Sequence, residues 1–198
     1  METENKLPLH RHLSVALIVI TCILIQALGE ETNITLRYDR EAIFNHEWWR
    51  LITGNLAHLS WSHLWMNLAG LVMIWLIYDR QLKLTWWLLN VFLCSLFVSL
   101  GLLTFNAELH WYVGLSGTLH GLIMTGVMIN VLNKERLDII LLVIISGKLI
   151  WEQISGPLPG SAETAGGPVI VDAHLYGAIA GVVTGLVFGL TKQALRQR

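Results

Sequence analysis

Charge is scarce in this chain. Asp, Glu, Lys and Arg make up only 14% of its 198 residues, against 54% apolar residues and a mean hydropathy of +0.57. That balance excludes an ordinary soluble domain, in which about a quarter of residues are charged. The few charges nearly cancel, to a formal net charge of −1, so no nucleic-acid partner is expected. Cysteine is scarcer still. Cys22 and Cys94 fall in the middle of apolar runs, offer no disulfide framework and read as packing residues. No small-residue cleavage site follows Leu28, so residues 13–29 are expected to stay in the membrane rather than be cleaved as a signal. No appended soluble domain is expected.

What the chain has in place of charge is apolar runs long enough, or nearly long enough, to cross a hydrocarbon core of ~30 Å. They cover about 13–29, 62–79, 84–104, 116–132, 137–154 and 174–190. The expected fold is an all-α membrane protein, a six-transmembrane-helix bundle forming one domain over residues 1–198. Lys148 interrupts the fifth run, but a lysine near a helix end can snorkel to the interface. Two connections are longer than turns: a loop over 30–61 and a Gly/Pro-rich loop over 155–173, expected to be flexible and a candidate lid.

Lysine and arginine near span ends favour the cytoplasmic side. With the N-terminus inside, Lys6, Arg11, Arg80, Lys83, Lys134, Arg136, Lys192, Arg196 and Arg198 are cytoplasmic, and Arg37, Arg40, Arg50 and Lys148 lie at the outer face. The same topology puts Trp48, Trp49, Trp61, Trp65, Trp111 and Trp151 at the outer interface and Trp75, Trp86 and Trp87 at the inner one, as aromatic belts require. Both termini are therefore expected in the cytoplasm, and both long loops outside.

Polar residues inside spans are costly in hydrocarbon and mark functional candidates. The second span opens "HLSWSHLWMNLAGL", with His58, His63 and Asn67; the fourth holds Ser116 and His120; the sixth opens "AHLYGAIAG", with His174. At 1.5 Å rise per residue, Ser116 stands ~25 Å from Asn133 and His174 ~24 Å from Leu190, which puts both in the outer third of the bilayer. Asn67 comes out ~17 Å from the inner end, with His63 one turn higher. Gly177, Gly181, Gly185 and Gly189 repeat every fourth residue on the sixth span, and Gly117 and Gly121 share that spacing on the fourth. Such ridges let two helices approach closely, near enough for a serine to meet an imidazole. A serine is a poor nucleophile until a base within ~2.6–3.2 Å accepts its proton, and His174 is the base at matching depth. Asp172, two residues before His174, reads as a helix cap rather than a third member of the site.

Four motifs in order, "WWRLITGNLAH", "HLSWSHLWMN" with His58, His63 and Asn67, "GLSG" and "AHLYGAIAG", resemble those of the rhomboid intramembrane serine proteases over roughly residues 46–190. The resemblance implies Ser116 as nucleophile and His174 as general base, a dyad with no acidic third member. It also implies an oxyanion hole formed by Asn67, His63 and the backbone N–H of Ser116. "GLSGTLHG", with Gly114, His120 and Gly121 around the serine, is similar to the rhombosortase branch, a short bacterial form linked to cleavage of C-terminal Gly-Gly sorting tails. That implies a bacterial inner-membrane protein with its site open to the periplasm, and single-span membrane proteins as substrates. Many rhomboids support the base histidine with an aromatic ring where His120 stands here. A site walled by Gly114, Gly117, Gly121 and Gly177 is expected to accept small residues, and no cofactor or metal is expected.

Two rival classes compete with this reading. Four histidines, His58, His63, His120 and His174, could bind a transition metal, but no carboxylate or thiolate is expected at their level. A catalytically inactive, client-binding relative would lack the serine or the histidine of the dyad, and both are present.

Overall fold

The computed structural model describes residues 10–78 and 84–197. Lys6, Arg80, Lys83 and Arg198, on which the expected orientation partly rests, lie outside the described residues. In chain order the elements are α1 (His10–Ala27), α2 (Glu30–Leu36), β1 (Tyr38–Asp39), α3 (Arg40–Phe44), α4 (Arg50–Thr53), α5 (Trp61–Tyr78), α6 (Leu84–Phe105), β2 (Trp111–Tyr112), α7 (Ser116–Leu132), α8 (Arg136–Ser155), α9 (Ser161–Ala165) and α10 (Val171–Arg196). The long helices fall on the six apolar runs. Three segments, α5, α6 and Val171–Leu195 of α10, are long and apolar enough to cross a membrane, and Leu13–Ala27 and Ser116–Leu132 are shorter apolar helices. Helix α8 is 20 residues long but carries Arg136, Asp138, Lys148 and Glu152, which lower its hydropathy. Large apolar side chains such as Leu17, Leu76, Ile144 and Val187 point outward from their helices, as a lipid-facing surface requires. The architecture is an all-α membrane bundle.

Helices α7 and α10 form the tightest contact in this bundle. A Cβ added to Gly177 would fall on the carbonyl oxygen of Gly117, and one added to Gly181 would fall on that of Gly121. The glycine ridge of α10 therefore lies directly on the backbone of α7, as the four-residue spacing predicts. Buried polar side chains fix α7 on its other flank. The Ser95 and Thr118 hydroxyls are 2.9 Å apart, Thr118 donates to Asn55 Oδ1 at 3.2 Å, and the Asn55 amide donates to Ser99 Oγ at 3.1 Å. Deeper in the bundle Thr125 donates to Asn90 Oδ1 at 3.1 Å, and its hydroxyl is 2.8 Å from that of Thr184. Buried hydroxyls and amides with partners add directionality that apolar contact lacks. Cys22 and Cys94 are buried free thiols.

The two long connections are more ordered than their composition suggests. Residues 30–61 fold into α2, β1, α3 and α4, with β1 paired antiparallel to β2 in the register Tyr38 to Tyr112. Buried Arg50 gathers the turn: Nη1 donates to the carbonyls of Ile34 and Arg37, and Nε donates to Glu47 at 2.6 Å. Residues 155–173, expected to be flexible, contain α9, bounded by Gly160 and Gly166, both at positive φ. The start of α5 straps it down, because Ser60 Oγ donates to the Ala165 carbonyl at 2.9 Å and Ser62 Oγ to that of Thr164 at 2.7 Å.

Candidate active site

Two residues beyond strand β2 stands Gly114, whose φ of 134° is a left-handed-side conformation that side chains rarely adopt. A side chain there would also meet the His63 ring, with Cε1 at 2.9 Å and Nε2 at 3.2 Å from the added Cβ. Two residues on, Ser116 opens α7, so its backbone N–H belongs to the first turn, which has no intrahelical acceptor and carries the positive end of the helix dipole.

The Ser116 Oγ lies 3.0 Å from His174 Nε2. On the far side of the same ring, His174 Nδ1 lies 3.0 Å from Glu152 Oε2. Glu152 Oε1 is 2.7 Å from the Lys148 ammonium, one turn back on α8. That ammonium is also 3.0 Å from His120 Nε2, and His120 Nδ1 is 2.8 Å from the carbonyl oxygen of Ser116. The His120 and His174 rings stack at 4.3 Å between centroids with 19° between planes. Glu152 and His174 are almost wholly buried.

For neutral imidazoles the chemistry of the partners assigns the protons in this chain. An ammonium only donates, so His120 Nε2 accepts and its Nδ1–H points at the Ser116 carbonyl. A carboxylate paired with that ammonium only accepts, so His174 carries its proton on Nδ1. His174 Nε2 is left with a lone pair facing the Ser116 hydroxyl. That is the tautomer a general base requires.

Ser116 also lines a cleft of about 260 Å³. His63 and Leu59 form one wall, Leu109–Val113 another, and Ala165 with Pro168–Ile170 a third, so the segment after α9 stands over the serine. His63 Nδ1 accepts the backbone N–H of Leu59 at 3.4 Å, which leaves the hydrogen on Nε2, the edge lying against Gly114. One turn along α5, Asn67 is buried and its Nδ2 has no partner within the protein. A buried amide donor without an acceptor is costly and is a group held ready for one. His58 packs edge-on against His63 at 5.1 Å, with Nδ1 on the Leu56 carbonyl at 3.1 Å and a buried, unpartnered Nε2.

Several expectations are corrected here. Ser116 and His174 are brought together, but His174 has an acidic neighbour, Glu152, where no acidic third member is expected. The four histidines form two pairs, not one cluster. A carboxylate does join the second pair: His120, Glu152 and His174 offer ligand atoms within 4.8 Å of one another. Lys148 already bridges His120 and Glu152, so the chain's own cation satisfies two of those three groups. The glycines do not wall the cleft. Gly117, Gly121 and Gly177 are consumed by the α7–α10 contact, and only Gly114 faces His63. Asp172 is not a cap, since Ile170 holds that position; it accepts a hydrogen bond from the Asn106 amide.

A hydroxyl facing the free imidazole nitrogen of a buried histidine, inside a helical membrane bundle and beside a cleft, is the arrangement of a membrane-embedded serine hydrolase. The model of the Rhomboid domain matches residues 45–191, and this chain belongs to that family of intramembrane serine proteases, which act on transmembrane substrates within the bilayer. Among curated proteins no match is found.

Proposed function

We propose that this protein is an active intramembrane serine endopeptidase in which Ser116 attacks and His174 is the base. The observation that supports it most directly is the 3.0 Å contact between Ser116 Oγ and His174 Nε2, with His174 Nδ1 turned to Glu152 on the far side of the ring. In the reaction, His174 takes the hydroxyl proton as Oγ bonds to the scissile carbonyl carbon. The imidazolium then gives that proton to the leaving amine as the C–N bond breaks, and water hydrolyses the acyl-enzyme by the same route. The oxyanion would be met by the Ser116 backbone N–H, His63 Nε2–H and the Asn67 amide, each donor worth about 3–4 kcal/mol in a serine protease. The unpartnered Asn67 Nδ2 supports that role.

The substrate class follows from access. A site inside the bilayer accepts a chain entering from the lipid or the interface, and a helix must unwind before its carbonyls can be attacked. Glycine weakens a helix by ~1 kcal/mol relative to alanine. The preference for small residues therefore rests on unwinding, since the cleft is lined by Leu59, Leu109, Trp111 and Tyr112 rather than glycine. The substrates are single-span proteins cleaved near the outer end of a C-terminal span, consistent with the Gly-Gly tails of the rhombosortase resemblance. The protein sits in a bacterial inner membrane with its termini in the cytoplasm and the site toward the periplasm. Co-expression with a reporter whose C-terminal span begins Gly-Gly should release the reporter's outer domain, and a Leu-Leu version should be released at least tenfold more slowly. Equal release of both would contradict this substrate assignment.

His120 supports His174 by stacking and by its two hydrogen bonds. His120→Phe and His120→Tyr restore a ring and should retain more proteolysis than His120→Ala, measured on the same reporter. A metal site would respond differently, with equal loss of bound metal in all three variants.

A further inference from the structure

We propose that Glu152 is an acidic positioning residue for His174, held in its working state by Lys148, so that the site operates as a Ser-His-Glu triad. This rests on the reading of Ser116 and His174 as nucleophile and base. Five hydrogen bonds form a closed ring that leaves Ser116 at its hydroxyl and returns at its carbonyl: Oγ to His174, His174 to Glu152, Glu152 to Lys148, Lys148 to His120, and His120 to the Ser116 carbonyl. With both imidazoles neutral each bond has one direction: Lys148 is charged, Glu152 is ionised and each imidazole carries its proton on Nδ1.

Glu152 is 3% exposed, and a carboxylate buried without a cation would be expensive. Lys148 supplies the cation from the next turn of the same helix, at 2.7 Å. Glu152 in turn does for His174 what a buried acid does for the base of a soluble serine protease: it fixes the tautomer, orients the ring and stabilises the imidazolium formed as Oγ attacks. Lys148 sits farther from the reacting atoms, touching neither Ser116 Oγ nor His174, and acts through Glu152 and His120. A purely structural ion pair would need no contact with His174, and this one spends its second carboxylate oxygen there.

The arrangement makes a specific demand on Glu152→Gln. Lys148 donates to one side-chain atom of residue 152, so the amide oxygen of glutamine turns to Lys148 and its NH₂ turns to His174. That donor forces the His174 proton onto Nε2, where it cannot accept from Ser116. The test uses the purified full-length chain in detergent and a fluorophosphonate probe, following the labelling rate against probe concentration, with thermal unfolding measured on each variant. Glu152→Gln should lower the saturating rate by roughly 10²- to 10⁴-fold while leaving the half-saturating probe concentration unchanged. Glu152→Asp, which keeps the acceptor, should recover much of the rate, and Lys148→Met should fall between the two. If Glu152→Gln fails to fold, the double variant Glu152→Leu with Lys148→Met removes both charges together with the acceptor for His174 Nδ1–H and carries the same expectation. A Glu152→Gln rate within threefold of the parent, or folded Gln and Asp variants that are equally slow, would overturn the triad while Ser116→Ala remains unlabelled. Labelling of Ser116→Ala would instead overturn the protease reading, and the triad with it.

Discussion

Replacing His174 by alanine should reduce reporter cleavage to background, a loss of roughly 10⁶-fold by the measure of soluble serine proteases, with the protein still made and inserted. The expectation follows from one contact. Ser116 Oγ has His174 Nε2 at 3.0 Å as its acceptor, and alanine leaves the hydroxyl with no base. The ring also stacks on His120 and bonds Glu152, so the variant leaves a small void and a carboxylate still paired with Lys148. Folding should survive the change. Asn67→Ala gives the contrasting result, a fall of roughly 10²- to 10³-fold for one lost oxyanion donor, because Asn67 makes no internal hydrogen bond through Nδ2 that folding would miss. Quantitative immunoblotting of reporter fragments against total inserted enzyme separates the two variants. Cleavage by His174→Ala at the Asn67→Ala level would mean that another group accepts the serine proton.

The second large effect falls on the scaffold. Gly177→Leu should abolish folded protein or drop its unfolding temperature steeply, because the group in the way is the Gly117 backbone carbonyl and not a side chain that can turn aside. Overpacking a core commonly costs about 1–3 kcal/mol where neighbours can shift; here α10 must move off α7, which also pulls His174 from Ser116. Gly147→Ala is the matched control. It lies on α8 with nothing within 4 Å of the added carbon, and alanine should be neutral or slightly stabilising there by helix propensity. Thermal unfolding in detergent with a thiol-reactive dye reads both, since Cys22 and Cys94 are buried in the folded protein. Similar melting curves for Gly177→Leu and the parent would contradict the packing account.

Both of these effects were legible in the sequence, and for a simple reason. In a membrane helix, depth is residue count times 1.5 Å, so Ser116 and His174 could be matched in height without a structure, and a glycine every fourth residue marks a face. Glu152 was equally accessible by the same count. It stands 16 residues after Arg136, about 24 Å along α8, level with the serine and histidine. Lys148 drew attention as an interruption of an apolar run, whereas the spacing of Lys148 and Glu152 puts them on one face, where each makes the other tolerable in a bundle. Two other features were not legible. The same glycine pattern can make room for a helix or for a ligand, and only the positions of Gly117 and Gly177 against each other decide for the helix. The Gly/Pro content of residues 155–173 indicates irregular backbone, but whether such a segment is loose depends on partners such as Ser60 and Ser62, far away in sequence.

The most direct measurement of the central claim is covalent capture of the nucleophile. Membranes containing the parent protein, Ser116→Ala and His174→Ala are exposed to a serine-reactive fluorophosphonate, and the modified residue is located by peptide mass spectrometry. The account predicts that the parent is labelled on Ser116 alone among its serines, that Ser116→Ala is not labelled, and that His174→Ala is labelled at the background rate of an unactivated serine. Modification of the parent at any other residue, or undiminished labelling of Ser116 in the absence of His174, would contradict it.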